Sequence, residues 1–465
     1  MFVLSDAAAV EAATTAPRAL PMVVLGLIMV VTYTTIALEW LNKSLAAMLG
    51  AVAAVVAALS FGIFPTPAGA RGPYGHVHYI IGHELGVLGV IVGTSILVDV
   101  ASHSGLFHFI AVKIVKRTHG DPKKLFLFVA LLTLVFVTFL TIAPGTLIVV
   151  SLALVVTKAL EIKDPRPYVL AVAIIANSAA LTTLASGICT LMLATASELP
   201  YVAFFRVTTP MGFVTAAIAF FVLRRSYGHL LVAPGTPEER KAKVEAFDEW
   251  ALVKDRRVFY RIALILVLTI VGFATAQTFR IGLDFIAMCG GVGALFFSGH
   301  STEKAIKVVK WDTILFFIGL FVIIGAVEAT HLLTTMANAI LSLSGGSAMV
   351  TMLLFTVFAL VMSGIVDNIP IAATMIPIVR TLEAQGIEVD PLWWSLILTA
   401  NLGGNSTPVG SISNVIALSS LEKERGIKIG WGEFLRVGGL ILGIQSAVVV
   451  TWLVVFKVFE LFPAR

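Results

Sequence analysis

Residues 172–190, V-A-I-I-A-N-S-A-A-L-T-T-L-A-S-G-I-C-T, and residues 396–414, L-I-L-T-A-N-L-G-G-N-S-T-P-V-G-S-I-S-N, decide how this chain folds. A displacement of 224 residues lays Asn177 on Asn401, Thr183 on Thr407 and Ile188 on Ile412. Each stretch is strongly apolar, yet is interrupted by Gly, Asn, Ser or Thr. Each is preceded by another interrupted segment, T-I-A-P-G-T at 141–146 and G-I-V-D-N-I-P at 364–370. Broken hydrophobic segments at matching places in two halves point to the binding site of a secondary transporter.

Composition places the chain in a bilayer. It is 58% hydrophobic and 13% charged, against roughly 45–50% and about 25% for a soluble domain. Apolar runs near the ~20 residues that span a bilayer core recur throughout. The reading is an all-α polytopic membrane protein. Spans are expected at 21–40, 44–64, 80–101, 206–223, 258–277, 282–298, 312–330 and 434–458. Residues 1–20 read as an N-terminal tail. The net charge of +5 is modest, and its basic residues gather in a few loops, so nucleic acid is not an expected partner. Cys189 and Cys289 form neither a disulfide framework nor a C-x-x-C pair. No Walker motif is present, so energy must come from an ion gradient or a partner.

Basic loops set the expected orientation. Residues 224–257 form a cytoplasmic linker between a first half, 21–223, and a second half, 258–465, with a solvated helix near 236–250. Residues 113–124 and 158–166 are also basic, so 123–160 should enter and leave on one side, as a re-entrant hairpin with its tip at Ala143–Thr146. The turn 383–391 carries Glu383, Glu388 and Asp390 without Lys or Arg. Residues 347–382 therefore read as a hairpin from the outside, with its tip at Asp367–Pro370. The broken helices follow at 167–198 and 391–420. Two such repeats of opposite orientation make an inverted pair, with both termini periplasmic. Residues 102–118 and 331–345 read as interfacial helices.

Unpaired backbone groups facing lipid cost several kcal/mol each, so broken segments must be buried or line a wet cavity. Four of them meeting would make a small polar chamber. Thr146, Asn177, Ser178, Thr182, Thr183, Ser186, Asn368, Asn401, Asn405, Ser406, Thr407, Ser411, Ser413 and Asn414 would supply neutral donors and acceptors. The competing reading is that Ser and Thr only pack helices or bond back to nearby carbonyls. Asp367 is the one acid between Ser347 and Glu383. An ionisable group at membrane depth is costly and usually functional, so Asp367 is read as a proton carrier or cation ligand, with a helix cap as the plainer role. The first half has Ala143-Pro144 where the second has Asp367-Asn368, so two identical ionic sites are not expected. Asp99 and Glu328, followed by His103 and His331, read as interfacial. Asp284 near Arg280 reads as a surface pair or cap. His76, His78 and His83 read as a solvated loop rather than a metal cluster.

The runs V-D-N-I-P-I-A-A-T-M-I-P, P-L-W-W-S-L-I-L-T-A-N-L-G-G-N-S-T-P-V-G-S-I-S-N-V-I-A and F-L-R-V-G resemble the C-terminal half of the ArsB/NhaD permeases of the ion transporter superfamily, over residues 363–438. The first half resembles that family in layout, including F-F-R-V at 204–207 against F-L-R-V at 434–437. It departs in its motifs. Many members have Asp-Asn in the first hairpin and a Gly-Gly-Thr-Ala-Thr-Leu-Ile-Gly-like run in the first broken helix. The resemblance implies an arsenite or antimonite efflux permease, or a sodium/proton antiporter, of a bacterial-type inner membrane. It also implies a possible homodimer and a possible soluble ATPase partner; no cofactor is expected. Superfamily relatives carry citrate and dicarboxylates, but the expected chamber lacks the Arg or Lys that would hold a carboxylate bidentately. Arsenite, an uncharged trihydroxy species near neutral pH, suits amides and hydroxyls. Cys189 reads as a small buried residue rather than a ligand.

Overall fold

The structure is a computed structural model that describes residues 19–463, apart from 39, 65–74, 84, 184–185, 200, 280, 300–302, 304–306, 308, 310 and 366–367. Asp367 and Arg280 are thus outside the described residues. Every regular element among the described residues is a helix. Nine of these helices are long and apolar enough to cross a membrane, among them Leu85–His103, Pro122–Leu140, Ile142–Ala159, Ala348–Ile365 and Trp431–Val458.

The displacement seen in the sequence is matched by helix boundaries. It carries the helix Arg166–Ala179 onto Asp390–Gly403, and the start of Ile188–Ser197 onto the start of Ile412–Arg425. Arg166–Ala179 and Asp390–Gly403 both begin with Pro in the first turn, where its missing N–H costs nothing. Both are packed on all sides, with Pro167–Ala179 and Pro391–Gly403 buried without exception. A helix of that kind belongs in the middle of protein.

The chain divides into two compact units. The smaller comprises residues 1–85, 311–346 and 373–387. Its Ala-rich helix Lys43–Ser60 packs on Trp311–Glu328. A methyl group on Gly319 would sit 2.6 Å from the Ala47 carbonyl carbon, so only glycine permits this approach. Small residues that let backbones close up are the usual basis of helix association in lipid. The Ser44 hydroxyl donates to Asp312, and Tyr33 Oη lies 2.9 Å from Thr374 Oγ1.

The larger unit comprises residues 86–310, 347–372 and 388–465, and contains both helix breaks and the first hairpin. The limbs of that hairpin, Pro122–Leu140 and Ile142–Ala159, meet at Thr141. The turn therefore falls two residues before the expected Ala143–Thr146 tip, which instead forms the first turn of the return limb, a position that accepts Pro144. Gly145 lets the limbs touch: a Cβ there would be 2.9 Å from Val137 Cγ2. In the second hairpin, likewise, Asn368–Pro370 begin the return helix Asn368–Ala384 rather than forming its turn. Each limb of the first hairpin is long and apolar enough for a full crossing, and the basic residues at both ends place those ends on one side whether the limbs cross or re-enter.

Elsewhere the segment of His76 and His78 is helical, Gly75–His83, where a loop was expected. Short helices occupy Leu106–Lys116 and Leu332–Ser344, within the segments read as interfacial. The linker helix is Pro237–Glu245, closed by a reciprocal Thr236–Glu239 capping box. Asp99 pairs with His103 at 3.0 Å, and Asp284 stands in the first turn of Leu283–Ser298.

Candidate functional site

Each broken helix stops because its sequence offers side chains in place of backbone partners. After Ala179 the carbonyl of Ala180 accepts from Ser186 Oγ at 2.7 Å and Thr190 Oγ1 at 2.9 Å. The hydroxyls of Thr182 and Thr183 bond to Thr138 of the first hairpin, at Oγ1 (2.6 Å) and at the carbonyl (3.0 Å). After Gly403, Asn414 Nδ2 donates to the carbonyls of Gly404 and Thr407, both at 2.8 Å. Ser406 Oγ donates to Gly403 O, and Thr407 Oγ1 to Gly364 O, also at 2.8 Å. Glycines make room: a Cβ on Gly403 would lie 2.6 Å from the Leu360 carbonyl oxygen.

The two equivalent asparagines cross over to each other's break. Asn177 accepts from Ser411 Oγ at 2.6 Å and from Ser413 Oγ at 3.2 Å, beside the second break. Asn401 donates to Thr190 at 2.8 Å, beside the first, and accepts from Asn368 Nδ2 at 2.8 Å. Asn177 also donates to Asn405 Oδ1 at 2.8 Å, and Asn405 to Gln445 Oε1 at 2.9 Å. Gln445 Nε2 reaches Thr215 O at 2.8 Å and Ser178 Oγ at 3.2 Å. Asn177, Asn401, Asn405, Ser413, Asn414 and Gln445 are fully buried. The expected residues on the two broken helices, with Asn368, thus bond at the breaks, and most have protein partners; Asp367 is outside the described residues. Among the described residues Thr146 Oγ1 and Asn414 Oδ1 are buried atoms without one. Such groups in native proteins call for an explanation such as a water or a ligand.

Gln445, Thr190 and Thr138 escaped sequence reading. Thr190 and Thr138 resemble ordinary helix-packing hydroxyls. Gln445 did carry a signal, a lone amide within the long apolar helix Trp431–Val458.

Charge is absent from this network: no buried side chain among the described residues is charged. Helices begin at Ile142, Ile188, Asn368 and Ile412, and their N-termini supply partial positive charge instead. Beside the Thr141 turn lies a cavity of about 30 Å³, whose walls include Thr94, Thr138, Thr141, Thr183 and Thr269. Four of those hydroxyls donate to backbone carbonyls and so present lone pairs. The space suits a water or a small donor. Thr141 itself has φ 72 and ψ 165, a conformation almost confined to glycine. Cys189 is buried with Sγ 3.6 Å from Asn368 O.

Ion pairs fasten the entry to the first broken helix, outside the buried network. Arg166 Nη2 lies 2.6 Å from Asp164 Oδ2, and its Nη1 3.1 Å from Glu433 Oε1. Partial burial pushes the Asp164 carboxyl up, but the hydrogen bonds and charge of Arg166 outweigh it and hold it below the usual range.

The family model for citrate transporters, CitMHS, matches residues 33–399. The chain belongs to that family. It is therefore a multi-pass membrane transporter. An uncharacterized transporter of Mycobacterium tuberculosis (strain H37Rv) is 30% identical over 431 residues, 92% of this chain and 96% of its own length. The human P protein is 24% identical over 503 residues, covering 92% of this chain and 59% of that protein. Among solved structures the CitMHS chain shares its fold with the YdaH transporter of Alcanivorax borkumensis, with TM-score 0.57, 17% identity, and coverage of 82% and 88% of the two chains. MtrF of Neisseria gonorrhoeae matches with TM-score 0.50 and 14% identity over 95% of each chain.

Proposed function

We propose that this CitMHS-family chain is a secondary transporter of a bacterial inner membrane, exporting a small, uncharged, hydroxyl-rich solute in exchange for protons. Arsenite and antimonite fit that description best. The observation that carries the reading is the chemistry of the breaks, amides and hydroxyls with no buried charge among the described residues. A neutral trihydroxy solute can exchange hydrogen bonds with such groups at little desolvation cost. Two inverted repeats moving about a central site would give access to each side in turn.

Asp367 is proposed as the proton carrier, because it is the acid next to Asn368, whose amide joins the network through Asn401. Asp367→Asn should abolish pH-dependent transport while leaving the fold intact; full retained activity would sink this role. The family's description favours a second solute, citrate, for which helix N-termini would supply the buried positive charge among the described residues. Sodium/proton antiport, and service as the membrane subunit of a soluble ATPase, are the rival couplings.

Uptake into everted vesicles made acidic inside, comparing arsenite, citrate and sodium, tests these readings. Arsenite accumulation that a protonophore collapses supports proton-coupled efflux. Citrate uptake without arsenite uptake moves the solute to the carboxylates. Sodium exchange alone recasts Asp367 as a cation ligand. Uptake by purified protein in liposomes under a pH gradient argues against dependence on an ATPase.

A further inference from the structure

We infer that Gln445 is a positioning residue: it fixes the sense of the amide chain that ties the two broken helices together. The inference rests on the reading that the breaks form the transport site. Gln445 stands near the middle of Trp431–Val458 and is fully buried. Its Nε2 donates to Thr215 O at 2.8 Å, an atom that can only accept. The other end of the amide must therefore accept, and it takes Asn405 Nδ2 at 2.9 Å. Asn405 then turns Oδ1 to Asn177 Nδ2, and Asn177 turns Oδ1 to Ser411 Oγ. One backbone carbonyl thus sets the direction of every bond from Thr215 to Ser411. Reversing any amide would set like groups against each other.

A separate contact fixes the same helix to the same residue. Gly438 approaches the Asn405 carbonyl so closely that a Cβ would collide with its oxygen. The helix therefore holds Asn405 by backbone and side chain alike. Charged groups do not account for this arrangement. Arg206, Arg224 and Arg225 of Tyr201–Tyr227, Asp390 of Asp390–Gly403, and Glu433, Arg436 and Lys457 of Gln445's own helix are none of them buried. Ala348–Ile365, also packed on this helix, carries no charged residue.

Glutamate tests the role, because its two protonation states differ in the one property at issue. In Gln445→Glu a neutral carboxyl can donate to Thr215 O while accepting from Asn405. An ionised one can only accept, and burial raises the pH at which it ionises. Cys189 at the first break is the reporter, in a Cys289→Ser background that removes the exposed thiol. Its maleimide labelling is measured in membranes from about pH 5.5 to about pH 8.5, and each variant is divided by the parent at the same pH. Gln445→Leu should label about tenfold faster throughout, since it leaves buried amides unpaired. Gln445→Glu should match the parent at the acid end and approach the Gln445→Leu rate at the alkaline end. A ratio for Gln445→Glu that does not change with pH overturns the inference, as does parent-like labelling of a folded Gln445→Leu. Should Gln445→Leu fail to fold, the pH profile of Gln445→Glu decides alone. No solute is added, so failure of arsenite efflux leaves this result interpretable.

Discussion

Asn177 and Asn401 occupy equivalent positions in the two halves, and each bonds across to the other half's break. Removing either amide strands buried hydroxyl and amide partners. Asn177→Ala and Asn401→Ala should each cost about 1–3 kcal/mol, read as a lowered unfolding midpoint in detergent, whereas Asn338→Ala, at an exposed Gln385 contact, should leave the midpoint almost unchanged. Asp164 makes a pH-dependent contribution. Its carboxyl titrates below the ordinary range in the folded protein. It therefore adds stability that is complete above the unfolded value of about 3.9 and is lost as pH falls through the folded one. Thermal stability should decline below about pH 4, and Asp164→Asn should flatten part of that decline. Sequence reading found the asparagines because polar residues broke an apolar pattern twice at one spacing. It did not find their partners. Which hydroxyl an amide meets depends on three-dimensional packing between residues 211 to 234 positions apart.

Hairpins and breaks carry the next level of consequence. Thr141 holds a β-branched side chain in backbone geometry almost confined to glycine. Thr141→Gly should stabilise the folded protein by about 1 kcal/mol or more, seen as a raised midpoint; a lowered midpoint would mean that its hydroxyl matters more than the strain. Gly403→Ala should do the reverse, because its methyl would meet the Leu360 carbonyl oxygen at 2.6 Å. Loss of folded protein, or of the close packing of Ala348–Ile365 on Asp390–Gly403, is the expected result. Sequence reading placed the broken helices at 167–198 and 391–420 without saying where helix resumes; the restarts at Ile188 and Ile412 follow Gly187 and the Ser411 cap. The first turn was misplaced because Pro144 and Gly145 look like turn residues, yet Pro suits a first helical turn and this Gly serves limb contact. His76 and His78 misled similarly: their polarity suggested a loop, although the segment continues as helix.

For the molecule as a whole, orientation is the property most open to test. If the linker faces the cytoplasm, Lys243→Cys should be labelled only from that side, and Gly386→Cys only from the other. Labelling of both from one side would remove the inverted arrangement. Membrane class and repeated layout were readable from composition and from one displacement. The two compact units were not, since each takes residues from both halves of the chain. The crossed asparagine bonds also bear on how the protein is made. Asn177 leaves the ribosome long before Ser411, which follows it by 234 residues. At about 5–20 residues per second, roughly 10 to 50 s pass before its partner exists. Throughout that interval a nascent first half holds the Asn177 amide without Ser411 or Asn405 to bond, which makes it a natural client for insertion chaperones and membrane proteases. A truncated first half, however well its helices insert, should therefore be short-lived in cells.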